Sequence, residues 1–408
     1  MAEKSKSRFS RVQVLAALLL LLSLFLVVIA ASRINPASIS SLGFEKLGQA
    51  KVPSRRGVML LGTLSAAASV VALLLSKRNA RTAVTTLVAG LMVVILSILT
   101  ALAQGGSIDL VGMLASSLRM STPIALAALA GILCEKSGVI NIGIEGMMLA
   151  AAAFGFGANL AAKNLWVGLL AAMLVGGLMA ALHAVMCIRY KADQVISGTA
   201  INVLAVGLSG FLRRAYLVNA FSVGATLPIV RIPFLSQVPV LGALFFRSQP
   251  ILYTMMILVP AMYFVLFYTP WGLRTRAVGE HPRAADTVGV NVYRVQYINV
   301  IVAGMIAGLA GAWFSLETVG SFEDVMTVGK GYIGLAAMIF GNWNPIGAFL
   351  GALLFGFADA LQIKLQILNV PLPYQFLGMA PYLVTMVVLA GLIGRTTPPA
   401  AEGKAYEK

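Results

Sequence analysis

The chain has 408 residues, of which 59% are hydrophobic and only 11% charged, with a formal net charge of +16. A soluble domain carries roughly 25% charged and about 45–50% apolar residues, so a soluble globular fold is excluded, and so is a disordered chain. One transmembrane helix takes about 20 apolar residues; the inventory therefore predicts an all-α polytopic bundle of about 10–12 spans with short loops and no sizeable soluble domain.

In chain order, Lys4, Lys6, Arg8 and Arg11 precede an apolar run from Val12 to Ala31. A signal peptide's apolar region is usually about 7–15 residues, so this longer run reads as a first membrane helix. Further apolar segments fall at 57–75, 83–103, 110–133, 142–162, 165–188, 195–217, 251–269, 296–316, 329–342, 345–363 and 374–394. Segment 329–342 is too short to cross at about 1.5 Å per residue, and the turn-forming Gly341-Asn342-Trp343-Asn344-Pro345 follows at once. The stretch 329–363 therefore reads as two short tilted helices or a re-entrant hairpin, whose irregular backbone must be buried in protein or line a wet path. Loop 218–250, with Pro228, Pro233, Pro239 and Pro250, reads as a surface connection. Gly304, Gly308 and Gly311 share one face of 296–316, and Gly347 and Gly351 repeat the spacing; this is the pattern of close helix packing.

Charge sets the expected topology. With the N-terminus in the cytoplasm, 17 of the 30 Lys and Arg fall on the cytoplasmic side, the main exception being loop 32–56, which holds five. That bias follows the positive-inside rule and predicts both termini in the cytoplasm. It also accounts for the basic balance, so no nucleic-acid partner is expected; membrane lipid is. Two cysteines (Cys134, Cys187) and two histidines offer neither a disulfide framework nor a zinc ligand cluster. No metal site and no bound cofactor is expected.

The richest polar stretch is 270–295. Pro282 suits a first helical turn, Arg283 to Val288 has no breaker, and Gly289 suits a C-terminal stop. A two-turn surface helix is expected, with the small Ala284-Ala285 pair open to close approach and Glu280, Arg283 and Asp286 along one side. The residues Gly279, Pro282, Ala284, Ala285 and Gly289 resemble the Gly–x–(Asn)–Pro–x–Ala–Ala–x–x–x–Gly coupling helix of ABC importer permeases, with His281 where Asn is common. Gly138-Val139-Ile140-Asn141-Ile142-Gly143-Ile144-Glu145-Gly146-Met147-Met148 resembles the signature of permeases for branched-chain amino acids, simple sugars and nucleosides. Its Glu-Gly-Met-Met form and the preceding Ser121-Thr122-Pro123 look most like a nucleoside importer permease. Gly341 to Ala348 is similar to a "G–x–x–x–P–x–G–A" turn of the same family. These matches run from about 110 to 394. They divide the chain into N-terminal membrane helices (1–105), a permease core of type II-like fold (106–395) and a cytoplasmic tail (396–408).

The resemblance implies a bacterial cytoplasmic-membrane subunit that moves solute by alternating access. Its implied partners are a separate ATPase, a second permease and an extracytoplasmic substrate-binding lipoprotein. The coupling residues would be Gly279, Glu280, His281, Pro282, Arg283, Ala284, Ala285, Asp286 and Gly289. This chain cannot itself hydrolyse ATP through a P-loop: Gly329-Lys330 is followed by Gly331 and position 324 is Asp.

Polar residues inside apolar segments are functional candidates by default. Asn141 and Glu145, four apart, are expected on one helix face, lining the path, pinning a broken helix or making a structural bond. Arg119, among Ser116, Ser117, Ser121 and Thr122, suggests a wet face, and Asn202 is a further path candidate. Asp359 reads as reaching the surface, and His183 as a satisfied core histidine. Glu317, Glu323 and Asp324 read either as an acidic landing site for a binding protein or as a solvated loop. Two rival functions follow from other features. Gly207-Leu208-Ser209-Gly210 matches an intramembrane serine protease pattern with His183 as base, and a gradient-driven transporter would need no docking helix.

Overall fold

A computed structural model describes residues 11–44, 48–76, 78–104, 106–217, 225–367, 379 and 396–407. The helices are α1 (Arg11–Arg33), α2 (Ser54–Leu75), α3 (Ala80–Leu102), α4 (Leu110–Glu135), α5 (Ile144–Ala162), α6 (Leu165–Ala184) and α7 (Gln194–Leu212). They continue as α8 (Leu241–Phe245), α9 (Pro250–Tyr268), α10 (Pro270–Glu280), α11 (Pro282–Thr287), α12 (Val292–Ala312), α13 (Lys330–Phe340) and α14 (Pro345–Ile367). Ten helices among the described residues are long and apolar enough to cross a membrane. The polytopic, mostly helical class therefore holds. The expected span 374–394 lies, apart from Met379, outside the described residues.

The chain forms two compact units. One contains residues 1–115, 234–245 and 358–394. Here α1, α2 and α3 pack through Ala16, Leu19, Ala72, Leu87 and Val94. Ser65 at the same interface donates to the Gly90 carbonyl at 2.9 Å. Loop 32–56 is not a simple loop: strands β1 (Ile39–Gly43) and β2 (Gln49–Pro53) pair antiparallel, and β3 (Ser107–Asp109) joins β1 in parallel. Strands of five residues or fewer leave no trace in the hydropathy pattern that marks membrane helices. Asp359 of this unit is 8% exposed, so it does not reach the surface as expected.

The other unit contains residues 116–233, 246–357 and 395–408. Its most buried helices are α4, α5 and α12; α6 packs across α5 and α12. The glycine stripe explains the closeness. A Cβ on Gly304 or Gly308 would overlap the backbone of Gly176 or Ala172 on α6, and one on Gly311 would overlap Met148 on α5. These glycines are packing residues, as the spacing implied. Helix α13 is 11 residues long, followed by a tight turn in which Asn342 and Trp343 adopt φ of 52° and 53°. Pro345 then opens α14. The break expected within 329–363 is present at 341–344, but only its first half is short: α14 has 23 residues and is long enough to cross.

Candidate functional site

The first candidate is the segment after α9. Thr269 caps α10 by accepting from the Gly272 amide at 3.2 Å, and Pro270 fits the first turn. Helix α10 is additional to the single short helix expected in 270–295; its sequence signal is this Thr-Pro cap beside a basic run. It ends at Glu280, His281 turns the chain, and Pro282 starts α11. Gly289, at φ +85°, closes α11 with its amide on the Asp286 carbonyl at 2.9 Å, and Val290 bonds back to Ala285 at 3.0 Å. The two-turn helix is present.

Its faces differ from expectation. Ala284 is exposed, but Ala285 is only 3% exposed, packed in a cluster with Val278, Val292, Val295 and Tyr406. The alanines therefore do not act as an open pair. Glu280 belongs to α10, not to the row of Arg283 and Asp286, and its carboxylate accepts from the Ala400 amide at 3.2 Å. The outward surface consists of His281, Arg283, Ala284, Thr287, Val288 and Gly289, with Val288 at 79% exposure. Gly279 is buried where a Cβ would overlap the Lys136 carbonyl, so α10 rests directly on the backbone of loop 136–138. Burial lowers the Lys136 ammonium below its usual value, an effect offset in part by Glu280 and reinforced by the like charge of Arg276.

The second candidate is the signature around Glu145. Helix α5 begins only at Ile144, with Gly143 as its cap. Asn141 therefore precedes the helix and does not share a face with Glu145. Its Nδ2 lies 3.5 Å from the Cys134 and Met147 sulfurs, and its Oδ1 is buried without a partner. Glu145 points instead to the start of α13. Its Oε1 accepts from Thr327 Oγ1 at 2.6 Å and the Gly329 amide at 2.8 Å, and its Oε2 accepts from the Gly331 amide at 2.6 Å. A carboxylate here meets the unsatisfied amides and positive end of a short helix. Gly331 is required, since a Cβ would lie 2.7 Å from the Glu145 Cα.

Asn202 of α7 completes this clamp. It accepts from the Gly146 amide at 2.7 Å and donates to the Ile142 carbonyl at 3.1 Å and the Tyr332 hydroxyl at 2.8 Å. A Cβ on Gly146 would lie 2.7 Å from the Asn202 Cα, so the signature glycine admits α7. The turn leading into α13 holds Val325 and Val328 at φ of 55° and 45°, both exposed. Branched residues in left-handed backbone are strained and persist only where their surroundings impose it. Glu145 and Asn202 are brought together around α13; Asn141 and Arg119 are not among their partners. Arg119 is exposed on α4, while Ser117, Ser121 and Thr122 are buried, so they do not form one wet face.

The remaining polar candidates resolve locally. His183 is fully buried, with Nδ1 2.9 Å from Ser197 Oγ and Nε2 2.9 Å from the Ile140 carbonyl. Both ring nitrogens are thus committed, and Ser209 is not among the partners of either. Ser209 donates to the Val206 carbonyl at 3.3 Å, so the protease pairing fails. Glu317 is 2% exposed and accepts from the Ile251 amide at 2.7 Å, which removes it from any landing surface. Glu323 and Asp324 instead hold Arg213 at 2.5 and 2.8 Å.

The described residues thus hold ten helices apolar and long enough to cross a membrane, a capped two-turn surface helix and a carboxylate-pinned half-helix. The family model described as "Branched-chain amino acid transport system / permease component" matches residues 113–394. The chain belongs to this family. The permease is 41% identical over 306 residues to the guanosine ABC transporter permease protein NupQ of Bacillus subtilis (strain 168), covering 72% of this chain and 95% of that protein. It is 38% identical over 304 residues to the nucleoside ABC transporter permease protein NupC of Lactococcus lactis subsp. cremoris (strain MG1363), covering 72% and 96%. It is 37% identical over 305 residues to the putative glucose ABC transporter permease protein TsgC13 of Haloferax volcanii, covering 70% and 92%. No solved structure matches the chain. The permease is a multi-pass membrane transport component and not an enzyme.

Proposed function

We propose that this permease is the membrane subunit of an ATP-driven ABC importer that takes up nucleosides, with the outward face of α11 as its contact with the ATPase. The observation that carries this reading is Val288. It stands 79% exposed beside exposed Ala284 on a helix whose opposite face is packed. Apolar and small residues left uncovered between charged neighbours suit a partner surface. A second permease, a substrate-binding lipoprotein and cytoplasmic termini complete the reading. ATP is bound and hydrolysed by the partner; this chain transmits the change, with α11 making different contacts in the two states of the ATPase. Glu145 and Asn202 hold α13 against α5 and α7, giving the bundle a fixed inner element about which a path opens. Guanosine is the first-choice solute because the NupQ and NupC relatives are named for guanosine and nucleosides.

The test is uptake of labelled guanosine by cells with and without this gene, with excess unlabelled nucleosides, ribose or leucine as competitors. Competition by nucleosides alone is expected. Competition by ribose or leucine overturns the solute assignment, and uptake that survives ATP depletion under a maintained ion gradient overturns the ATP-driven one.

A further inference from the structure

Chain termini are poorly ordered unless something ties them down, and the last residues of this chain are tied down at separate places. The Thr397 amide donates to Asn342 Oδ1 at 2.9 Å, in the turn between α13 and α14. The Ala400 amide reaches the Glu280 carboxylate at 3.2 Å and the Ala401 amide the Gly279 carbonyl at 2.9 Å. The Gly403 amide donates to the Gly138 carbonyl at 3.2 Å, and Lys191 pairs with Glu407 at 2.8 Å. Glu402 bonds Glu135, whose carboxylate also accepts from the Trp343 indole at 2.6 Å. One strand of tail thus joins the α13–α14 turn, the end of α10, the signature loop and the loop before α7.

Tyr406 lies at the centre of this arrangement. It is 7% exposed and packs with Ala285, Val278, Val292 and Val295, its ring 5.3 Å from that of Tyr293. Its hydroxyl lies on the Asp286 side of α11. Tyr406 therefore covers the back of α11, the face opposite Ala284 and Val288.

We infer that the C-terminal tail is a strap that sets the position of the coupling helix, with Tyr406 as its positioning residue. This rests on the reading of α11 as the ATPase contact. Without the ring, Ala285 loses its cover from the tail, and α11 is held by its two flanking turns and by the packing of Ala285 on Val278, Val292 and Val295. Motion of the ATPase would then be taken up by slack in α11 rather than passed to the bundle. Through Tyr406 on α11, Glu280 at the end of α10 and Asn342, the strap also connects these helices to the turn that ends the half-helix pinned by Glu145. One continuous stretch of chain, 397–406, thus touches both the back of the docking helix and the turn that ends the half-helix.

The test uses the complete transporter in membrane vesicles and measures guanosine taken up per ATP hydrolysed. Tyr406→Ala is expected to lower this ratio at least about tenfold while permease level and ATPase co-purification hold, the size of effect that loss of a buried aromatic anchor allows. Tyr406→Phe, which keeps the ring, is expected within about twofold of wild type. A Tyr406→Ala ratio within that same range overturns the inference, and so does equal impairment of Tyr406→Phe. Should Tyr406→Ala fail to reach the membrane, a second measurement decides: cysteines at Lys191 and Glu407, bridged by a short bis-maleimide, hold the strap down. Retained uptake in the bridged transporter supports a strap that stays docked through the cycle; abolished uptake overturns it. Ala284→Trp, on the outward face, separates the two readings. If it too transports normally, the assignment of α11 fails; if it is uncoupled while Tyr406→Ala is not, only the strap fails.

Discussion

Glu145→Gln keeps the shape of the side chain and removes its charge. The carboxylate serves three donors, two on Oε1 and the Gly331 amide on Oε2. A glutamine has one acceptor oxygen, so its NH2 group must face at least one of those donors. Its best orientation leaves the oxygen to Thr327 and Gly329 and sets donor against donor at Gly331. A hydrogen bond to a charged group contributes about 1.5–3 kcal/mol, and a buried donor left unmet costs about 1–3 kcal/mol. The lost charge at the start of α13 adds about 0.3–1 kcal/mol. These terms overlap, and about 3 kcal/mol of local stability is a fair total; at about 1.4 kcal/mol per decade that is roughly a hundredfold in the opening equilibrium. Hydrogen exchange on the purified permease should therefore show the amides of 329–334 exchanging about a hundred times faster, with α11 unchanged. Unchanged exchange in that window would refute the clamp. So would a uniform rise across the chain, which would mean global loosening.

Gly279→Ala should lower guanosine uptake by about tenfold or more with the permease still in the membrane, because its Cβ enters the Lys136 carbonyl and overpacking of this kind costs about 1–3 kcal/mol; uptake in vesicles reads it, and wild-type transport would contradict the close packing of α10 on loop 136–138. Glu402 gives a pH dependence. Burial, above all, raises its carboxyl above the ordinary value, with the Glu135 bond and neighbouring Lys136 opposing the rise. A raised carboxyl holds its proton more tightly when the tail is docked, so docking is strongest below the free-carboxyl value of about 4.3 and weakens as pH rises through the raised one. Protease sensitivity of the tail should increase as pH rises above the free-carboxyl value in wild type, and much less in Glu402→Gln. Parallel profiles in the two proteins would remove Glu402 as the cause.

The architecture was legible in the sequence because membrane helices announce themselves by length, and so was the break at 341–344, where Gly, Asn and Pro cluster. Helix α11 was legible from Pro282 and Gly289. What the sequence concealed were relations across long separations. Asn141 and Glu145 stand four apart and seemed to share a face, yet α5 starts at Ile144, between them. The partners of Glu145 lie at 327–331, with no local signal linking the two. Ala285 seemed as free as Ala284 because the ring that covers it is Tyr406, in a tail whose composition reads as an ordinary polar end. Glu317 seemed one of an acidic set with Glu323 and Asp324 until the amide of Ile251, at the start of α9, was found to engage it. In each case chain distance, not residue chemistry, hid the contact.

The central claim is that α11 passes the work of an ATPase to this permease through its outward face. The most direct measurement is guanosine uptake and ATP hydrolysis, side by side, in vesicles carrying the complete transporter with Ala284→Trp. The indole would project from the exposed face without disturbing Ala285 or the strap beneath. The account predicts permease at wild-type level, continued ATP hydrolysis, and uptake reduced at least about tenfold, as a bulky side chain in a close-packed docking surface requires. Uptake and hydrolysis both at wild-type levels would contradict it.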